Sequence, residues 1–182
     1  QVFDWVSNES PQLLDIVGDE RPELLCTRDG FFGFATIDWD QPFEAWEFHA
    51  VSEQIASKKF GHGLGVGDVN GDGRLDILHA KGWFEQPVTH QLTSRWMPHA
   101  VSFSDDYGGA EMYAYDVDGD GDLDLATSSE LLLNNGTGHF TVAASLPNSK
   151  SLLGDADGDG DLDLVIENGQ LLLNNGMGTF NV

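Results

Sequence analysis

The sequence predicts an all-β fold made of four four-stranded units, and three observations carry that expectation. An aspartate-rich nonapeptide recurs in register at Asp68–Asp76, Asp116–Asp124 and Asp155–Asp163, with a worn copy at Asp15–Glu23. The good copies lead into short apolar runs that alternate as strands do, as in Leu123-Asp124-Leu125-Ala126-Thr127. Asn-Gly pairs between apolar runs, at Asn135-Gly136 and Asn175-Gly176, mark tight hairpins because both residues accept positive φ.

Taken in order, Gln1–Val6 reads as a strand and Asn8–Pro11 as a turn. Repeat one runs through the worn loop to Glu23–Cys26, turns at Asp29-Gly30, continues over Phe31–Asp38 and closes with Ala45–Ser52. Repeat two opens on Gly61–Gly67, passes its loop to Leu75–His79, turns at Lys81-Gly82 and closes over Arg95–Ser102. The endings Trp46-x-x-His49-Ala-Val-Ser and Trp96-x-x-His99-Ala-Val-Ser match, so the two repeats are a duplication. Repeats three and four share the shorter ending Leu131–Phe140 and Leu171–Phe180. Helical periodicity is confined to an ambiguous patch at Val51–Lys59. Loops start at residues 15, 68, 116 and 155. Four-stranded units of roughly 40–50 residues are the size of propeller blades. The expected architecture is a β-propeller, or propeller-like array, of four blades in one repeat domain over 1–182. Its repeats fall at about 1–52, 53–102, 103–144 and 145–182.

The loops point to a hard cation. Side-chain oxygens of Asp116, Asp118, Asp120 and Asp124, with the carbonyl of Asp122, can converge on one point, and so many carboxylates repel unless a cation neutralises them. Six to eight oxygen ligands suit Ca²⁺ better than Mg²⁺, which keeps its waters. An EF-hand needs Glu at position twelve, where these loops have His79, Thr127 and Ile166, so that reading is excluded. In the worn loop Val17 replaces a ligand and Glu20 a glycine, so its metal is expected to be weak or missing.

Composition narrows the function classes. The formal net charge is −23, from 31 acidic and 8 basic residues, which disfavours nucleic acid and anionic membranes as partners. No apolar run reaches the roughly 18 residues of a membrane span. Cys26, the only cysteine, leaves no intrachain disulfide and reads as a buried thiol. Calcium loops of this kind fill outside cells, so an extracellular or cell-surface location is expected.

These features resemble FG-GAP/VCBS repeats, the blades of calcium-binding β-propellers related to integrin α-subunit heads. The resemblance rests on the DxDGDGxxDL loops, the LLLNNGxGxF endings and Trp83-Phe84-Glu85-Gln86-Pro87. It implies side-chain ligands at loop positions one, three, five and nine and a carbonyl at seven. The implied Ca²⁺ ligands are Asp68, Asn70, Asp72, Arg74 (carbonyl) and Asp76; Asp116, Asp118, Asp120, Asp122 (carbonyl) and Asp124; and Asp155, Asp157, Asp159, Asp161 (carbonyl) and Asp163. Asp15, Asp19, Arg21 and Glu23 are the corresponding residues of the worn fourth site.

The expected function is an extracellular calcium-binding module whose metals are structural and which binds protein or glycan. Alternatives are a subunit of a self-assembling filament or surface layer, and an accessory domain of a polysaccharide-degrading enzyme. No catalytic constellation emerges: the clustered acids serve the loops, Glu111 and Glu130 lack a partner, and the histidines form no motif. Trp46 and Trp96 read as core, Trp5 and Trp83 as exposed, and Phe103–Gly109 as the best recognition loop. The segment 1–6 is expected to pair with repeat four, closing a ring or joining copies into a homo-oligomer or filament.

Overall fold

The computed structural model describes residues 5–89, 95–104, 112–127, 129–146, 151–167 and 169–181. Among these residues there is no helix, and the strands form four antiparallel four-stranded sheets, each an up-and-down meander in chain order. Sheet one holds β1 (Gln12–Leu14), β2 (Glu23–Arg28), β3 (Phe31–Thr36) and β4 (Glu47–Ala50). Sheet two holds β5 (Gly65–Gly67), β6 (Asp76–His79), β7 (Gly82–Glu85) and β8 (Met97–Ala100). Sheet three holds β9 (Tyr113–Tyr115), β10 (Asp124–Ala126), β11 (Glu130–Asn134) and β12 (Phe140–Ser145). Sheet four holds β13 (Ser151–Gly154), β14 (Asp163–Ile166), β15 (Leu171–Asn174) and β16 (Phe180–Asn181). In every sheet the acidic loop joins the first two strands. The β2–β3 turn uses Asp29 and Gly30 at φ 52° and 87°, the double positive that suits a two-residue hairpin.

The two-residue strand period decides how the sheets stack. In sheet two, Ile77 pairs with Phe84 and Leu78 with Trp83. Ile77 and Phe84 pack with Leu25, Phe32 and Phe34 of sheet one, while Leu78 and Trp83 pack with Leu125 and Leu132 of sheet three. Both faces of sheet two are therefore buried, which is why β6 reads as an uninterrupted apolar run after its aspartate. Burial of one such side chain is worth about 1.5–3 kcal/mol, so the seams hold the array together. The third seam is thinner, with Val117, Ala126 and Leu131 against the partly buried Leu153 and Phe180. Beyond it, Leu152, Val165 and Leu171 line up across β13, β14 and β15 and stay exposed. Among the described residues, no apolar cluster contains residues of both sheet four and sheet one.

First strands of neighbouring sheets approach closely. A Cβ on Gly65 of β5 would lie 2.6 Å from the carbonyl oxygen of Met112, whose amide donates to Leu64 at 3.1 Å. Glycine at this point lets sheet two meet β9.

The two matching histidines sit in equivalent register, His49 opposite Phe34 and His99 opposite Trp83. His49 bonds the Thr36 hydroxyl at 2.8 Å, and His99 stacks on the Trp83 indole and meets Glu85 at 2.7 Å. Both roles are packing and hydrogen bonding. Trp83, expected at the surface, is buried, because sheet three covers it; Trp96 is core as expected, and Trp46 is half-buried. Cys26 is fully buried, and burial pushes its thiol up to about 12, which keeps it protonated and inert.

The N-terminal segment takes a course that the sequence does not foretell. Ser7 donates to Thr27 at 2.8 Å, Gly61 donates to Ser7 at 2.7 Å, and Glu9 donates to Gly61 at 3.1 Å. Its described part therefore lies against sheet one and the connection to sheet two, rather than against repeat four; residues 1–4 lie outside the described residues. Most of the Phe103–Gly109 loop, and Glu111, lie outside them too.

His79 gives the fold a measurable pH response. Its ring stacks on Phe84 at 4.8 Å and lies 5.1 Å from Phe32, and burial lowers its pKa from 6.5 to about 4. Between those values the unfolded chain binds a proton that the folded chain refuses, so stability falls as pH falls. Relative to His79→Phe, the wild type should lose roughly 2–3 kcal/mol between pH 7 and pH 4. The difference taken from urea melts isolates this term from the carboxylates. A flat difference would show that the ring is solvated in the native state.

Candidate metal centre

Each loop is wound by its own aspartates. In Asp116–Asp124, Gly119 and Gly121 donate to the two oxygens of Asp116 at 2.8 and 3.1 Å, Asp120 to Asp118 at 3.2 Å, and Asp122 to Asp120 at 2.9 Å. Gly119 and Gly121 hold φ at 76° and 94°, which lets the backbone coil around the carboxylates. The Asp155 loop repeats the pattern, with Gly158 and Gly160 donating to Asp155 at 2.7 and 3.2 Å. In the worn loop, Gly18 and Glu20 donate to Asp15 at 2.6 and 2.7 Å, and Glu20 takes φ 68° where the others have glycine. The first loop thus keeps the backbone shape despite its departures.

Two loops gather carboxylates tightly enough to hold a metal ion. Carboxylate oxygens of Asp116, Asp118 and Asp120 all lie within 4.8 Å of one another, and so do those of Asp155, Asp157 and Asp159. Burial raises the pKa of Asp118, with Asp120 and Asp116 adding repulsion that a cation would relieve. The Asp68 loop differs. Asn70 is neutral, and the Arg74 guanidinium pairs with Asp72 while its Nε donates to the Gln86 carbonyl at 3.0 Å. An internal cation there competes for the position-five carboxylate.

Position nine does a second job. Asp124 is buried, accepting from Val117 at 2.9 Å on one oxygen and from Asn134 at 2.9 Å on the other. Asp76 takes the amides of Val69 and Gln86, and Asp163 those of Ala156 and Asn174. Glu23 replaces them in the first loop, accepting from Ile16 at 3.0 Å and Val17 at 3.3 Å. In the three aspartate loops the carboxylate therefore clamps the loop entry to the end of the third strand, and each oxygen keeps a lone pair for a further ligand. Burial pushes Asp76 up to about 7 and Asp124 to about 6. Asp163, with equivalent partners, is held below the usual range by the amides of Asn174 and Ala156. Asp76 and Asp124 are thus the clamps whose charge burial disfavours and a counter-charge would favour.

A further device, absent from the sequence-based expectations, ties each of the first three loops to the next sheet. The Asn134 side-chain amide donates to the Val69 carbonyl at 2.8 Å and to Leu123 at 3.1 Å. Asn174 donates to Val117 at 2.7 Å and to Leu162 at 3.2 Å, and Gln86 to Ile16 at 2.5 Å. All three accepting carbonyls outside the donor's own repeat sit at position two of the preceding loop. That residue's N–H is held by its own position-nine acid, so each position-two residue is gripped from both sides. Ile37 occupies the corresponding place after β3 and brings no amide. The available signal was a carboxamide at the end of every later third strand.

Fold and loops together define a tandem array of four-stranded β-sheets carrying acidic, metal-type loops. No protein-family model and no curated protein matches the sequence. Among solved structures, the chain is similar to a lectin of Agrocybe aegerita described by its specific recognition of non-reducing terminal N-acetylglucosamine. The TM-score is 0.64 at 22% identity, over 94% of this chain and 50% of that one. It is also similar to the V. cholerae biofilm matrix protein Bap1, with a TM-score of 0.47 at 22% identity over 90% of this chain and 24% of that one. The chain spans about half the length of the lectin, and at this identity the likeness is one of fold.

Proposed function

We propose that this chain is a calcium-stabilised blade array of the FG-GAP/VCBS repeat type. It forms a propeller or propeller-like module and acts outside cells by binding glycan or protein. The observation that carries the reading is the pair of oxygen-only clusters at Asp116, Asp118 and Asp120 and at Asp155, Asp157 and Asp159. A donor set of carboxylates without nitrogen or sulfur suits a hard cation. The first cluster would be completed by Asp124 and the Asp122 carbonyl, the second by Asp163 and the Asp161 carbonyl. Asp68, Asn70, Asp72, Asp76 and the Arg74 carbonyl would form a weaker third site. Asp15, Asp19, Glu23 and the Arg21 carbonyl would form the weakest. The bound ion supplies charge neutralisation, and the loop acids hold the strands in register around it.

Recognition is supported by the shared fold with the lectin, whose ligand is a sugar. No helix among the described residues is long and apolar enough to cross a membrane. The extracellular placement follows from the calcium level such loops need, and the reading assigns no catalysis to the chain.

Thermal melting in Ca²⁺, Mg²⁺ and EDTA tests the calcium assignment. Saturating one site at a hundred times its Kd adds about 2.7 kcal/mol, so removing two or more should lower Tm by roughly 10 °C or more. Titration should fill the Asp116 and Asp155 loops before the Asp68 loop. Superimposable melts in Ca²⁺ and EDTA would refute structural calcium.

A further inference from the structure

The N-terminal segment and the connection between sheets one and two enclose a cleft of about 580 Å³, within the usual size range of ligand pockets. One wall is fixed by the bonds of Ser7, Glu9 and Gly61 already described, and by Asn8 Oδ1 accepting from the Thr27 amide at 2.8 Å. The other wall is Lys58–Phe60, where Phe60 holds φ at 51°. A bulky aromatic residue rarely adopts that conformation, and strain of this sort concentrates at binding sites. Phe60 is 78% exposed and Trp5 53%, and both line the cleft. Two large aromatic side chains thus meet solvent at one cleft.

Two further features narrow the ligand. Ser7 Oγ and Asn8 Nδ2 are buried at the cleft without a hydrogen-bond partner, as is the neighbouring Thr27 Oγ1, so the floor has unmet hydrogen-bonding capacity. Lys58 and Lys59 are two of only 8 basic residues in a chain of charge −23, and among the described residues neither is ion-paired. Glu9 also lines the cleft, but its carboxylate meets His62 at 3.2 Å. In a chain this acidic, the cleft presents two lysines adjacent in sequence beside two aromatic side chains.

We infer that this cleft binds an acidic saccharide, with sugar rings against Trp5 and Phe60 and a carboxylate at Lys58 and Lys59. The inference deepens the recognition reading above and names its site. A pyranose offers apolar C–H faces to aromatic rings and hydroxyls to a polar floor, and a uronic acid adds the charge that the lysines match. A neutral sugar would leave the lysines unused, and an acidic peptide would leave the rings without flat partners.

The full chain in Ca²⁺ should be titrated with a hyaluronan tetrasaccharide, with chitotetraose as the neutral comparator and tetraglutamate as the peptide comparator. The hyaluronan fragment should bind most tightly and weaken as salt is raised. Trp5→Ala and the double variant Lys58→Gln/Lys59→Gln should each lose about tenfold or more in Kd. Both should keep the wild-type Tm in Ca²⁺, since these side chains are exposed. Equal binding of chitotetraose or tetraglutamate, indifference to the lysine change, or no binding of the hyaluronan fragment overturns the inference. Loss of the calcium-dependent Tm in wild-type protein would instead count against the metal reading, so the two failures are distinguishable.

Discussion

Asp124→Ala should destabilise the protein both in Ca²⁺ and, by about half as much, in EDTA, whereas Asp120→Ala should do so in Ca²⁺ only. Both residues belong to one loop and look equivalent as ligands. Asp120 is exposed, so its loss in chelator relieves repulsion from Asp118 and frees only an exposed Asp122 amide, which water can take up. Asp124 is buried and accepts the amides of Val117 and Asn134. Alanine orphans both donors, at about 1–3 kcal/mol each. Part of that is offset in chelator, because the alanine also removes a carboxylate that burial has pushed up to about 6. The expected loss is therefore about 4 kcal/mol in Ca²⁺ and about half as much in EDTA, read from urea melts at pH 7. If the two variants behave alike in EDTA, position nine is a ligand without a clamp.

Asn134→Leu should cost about 2–3 kcal/mol and divide one melting transition into two. Leucine matches asparagine in size but cannot donate, so the carbonyls of Val69 and Leu123 lose their partner in a buried seam. Those bonds join sheet three to the loop of sheet two. Arrays whose sheets touch only their neighbours have stabilities set by local terms and nearest-neighbour seams, so a weakened seam uncouples the halves. Asn174→Leu should cost less, because the seam that it joins has fewer buried apolar residues. Calorimetry showing a single unshifted transition for Asn134→Leu would remove the seam role.

The loops were legible because their chemistry is contiguous: nine residues contain both the glycines that permit the winding and the oxygens that meet. Strand number and order followed from the same loops and from the Asn-Gly turns. What lay hidden depends on partners distant in sequence. Asn134 and Asn174 stand beside Asn135-Gly136 and Asn175-Gly176 and read as turn residues, while their amides reach 65 and 57 residues back. Trp83 follows a glycine at a strand start, and only the arrival of Leu125 and Leu132 buries it. Position nine is an acid whether it serves as ligand or clamp, so spacing alone could not separate the two roles. Ser7–Glu9 bond Thr27 and Gly61 largely through the backbone, which leaves little mark on side-chain pattern.

The grip on each position-two residue also bears on how such a chain could lengthen. A blade copied whole carries an amide that reaches backward and a peptide carbonyl that waits for the next amide. Both halves of the joint therefore arrive in a single genetic event. Tandem duplication can then extend the array without first inventing an interface, and later drift is free to alter the outer strands. The endings of repeats one and two differ from those of repeats three and four, yet Gln86, Asn134 and Asn174 each bring a carboxamide to the preceding loop.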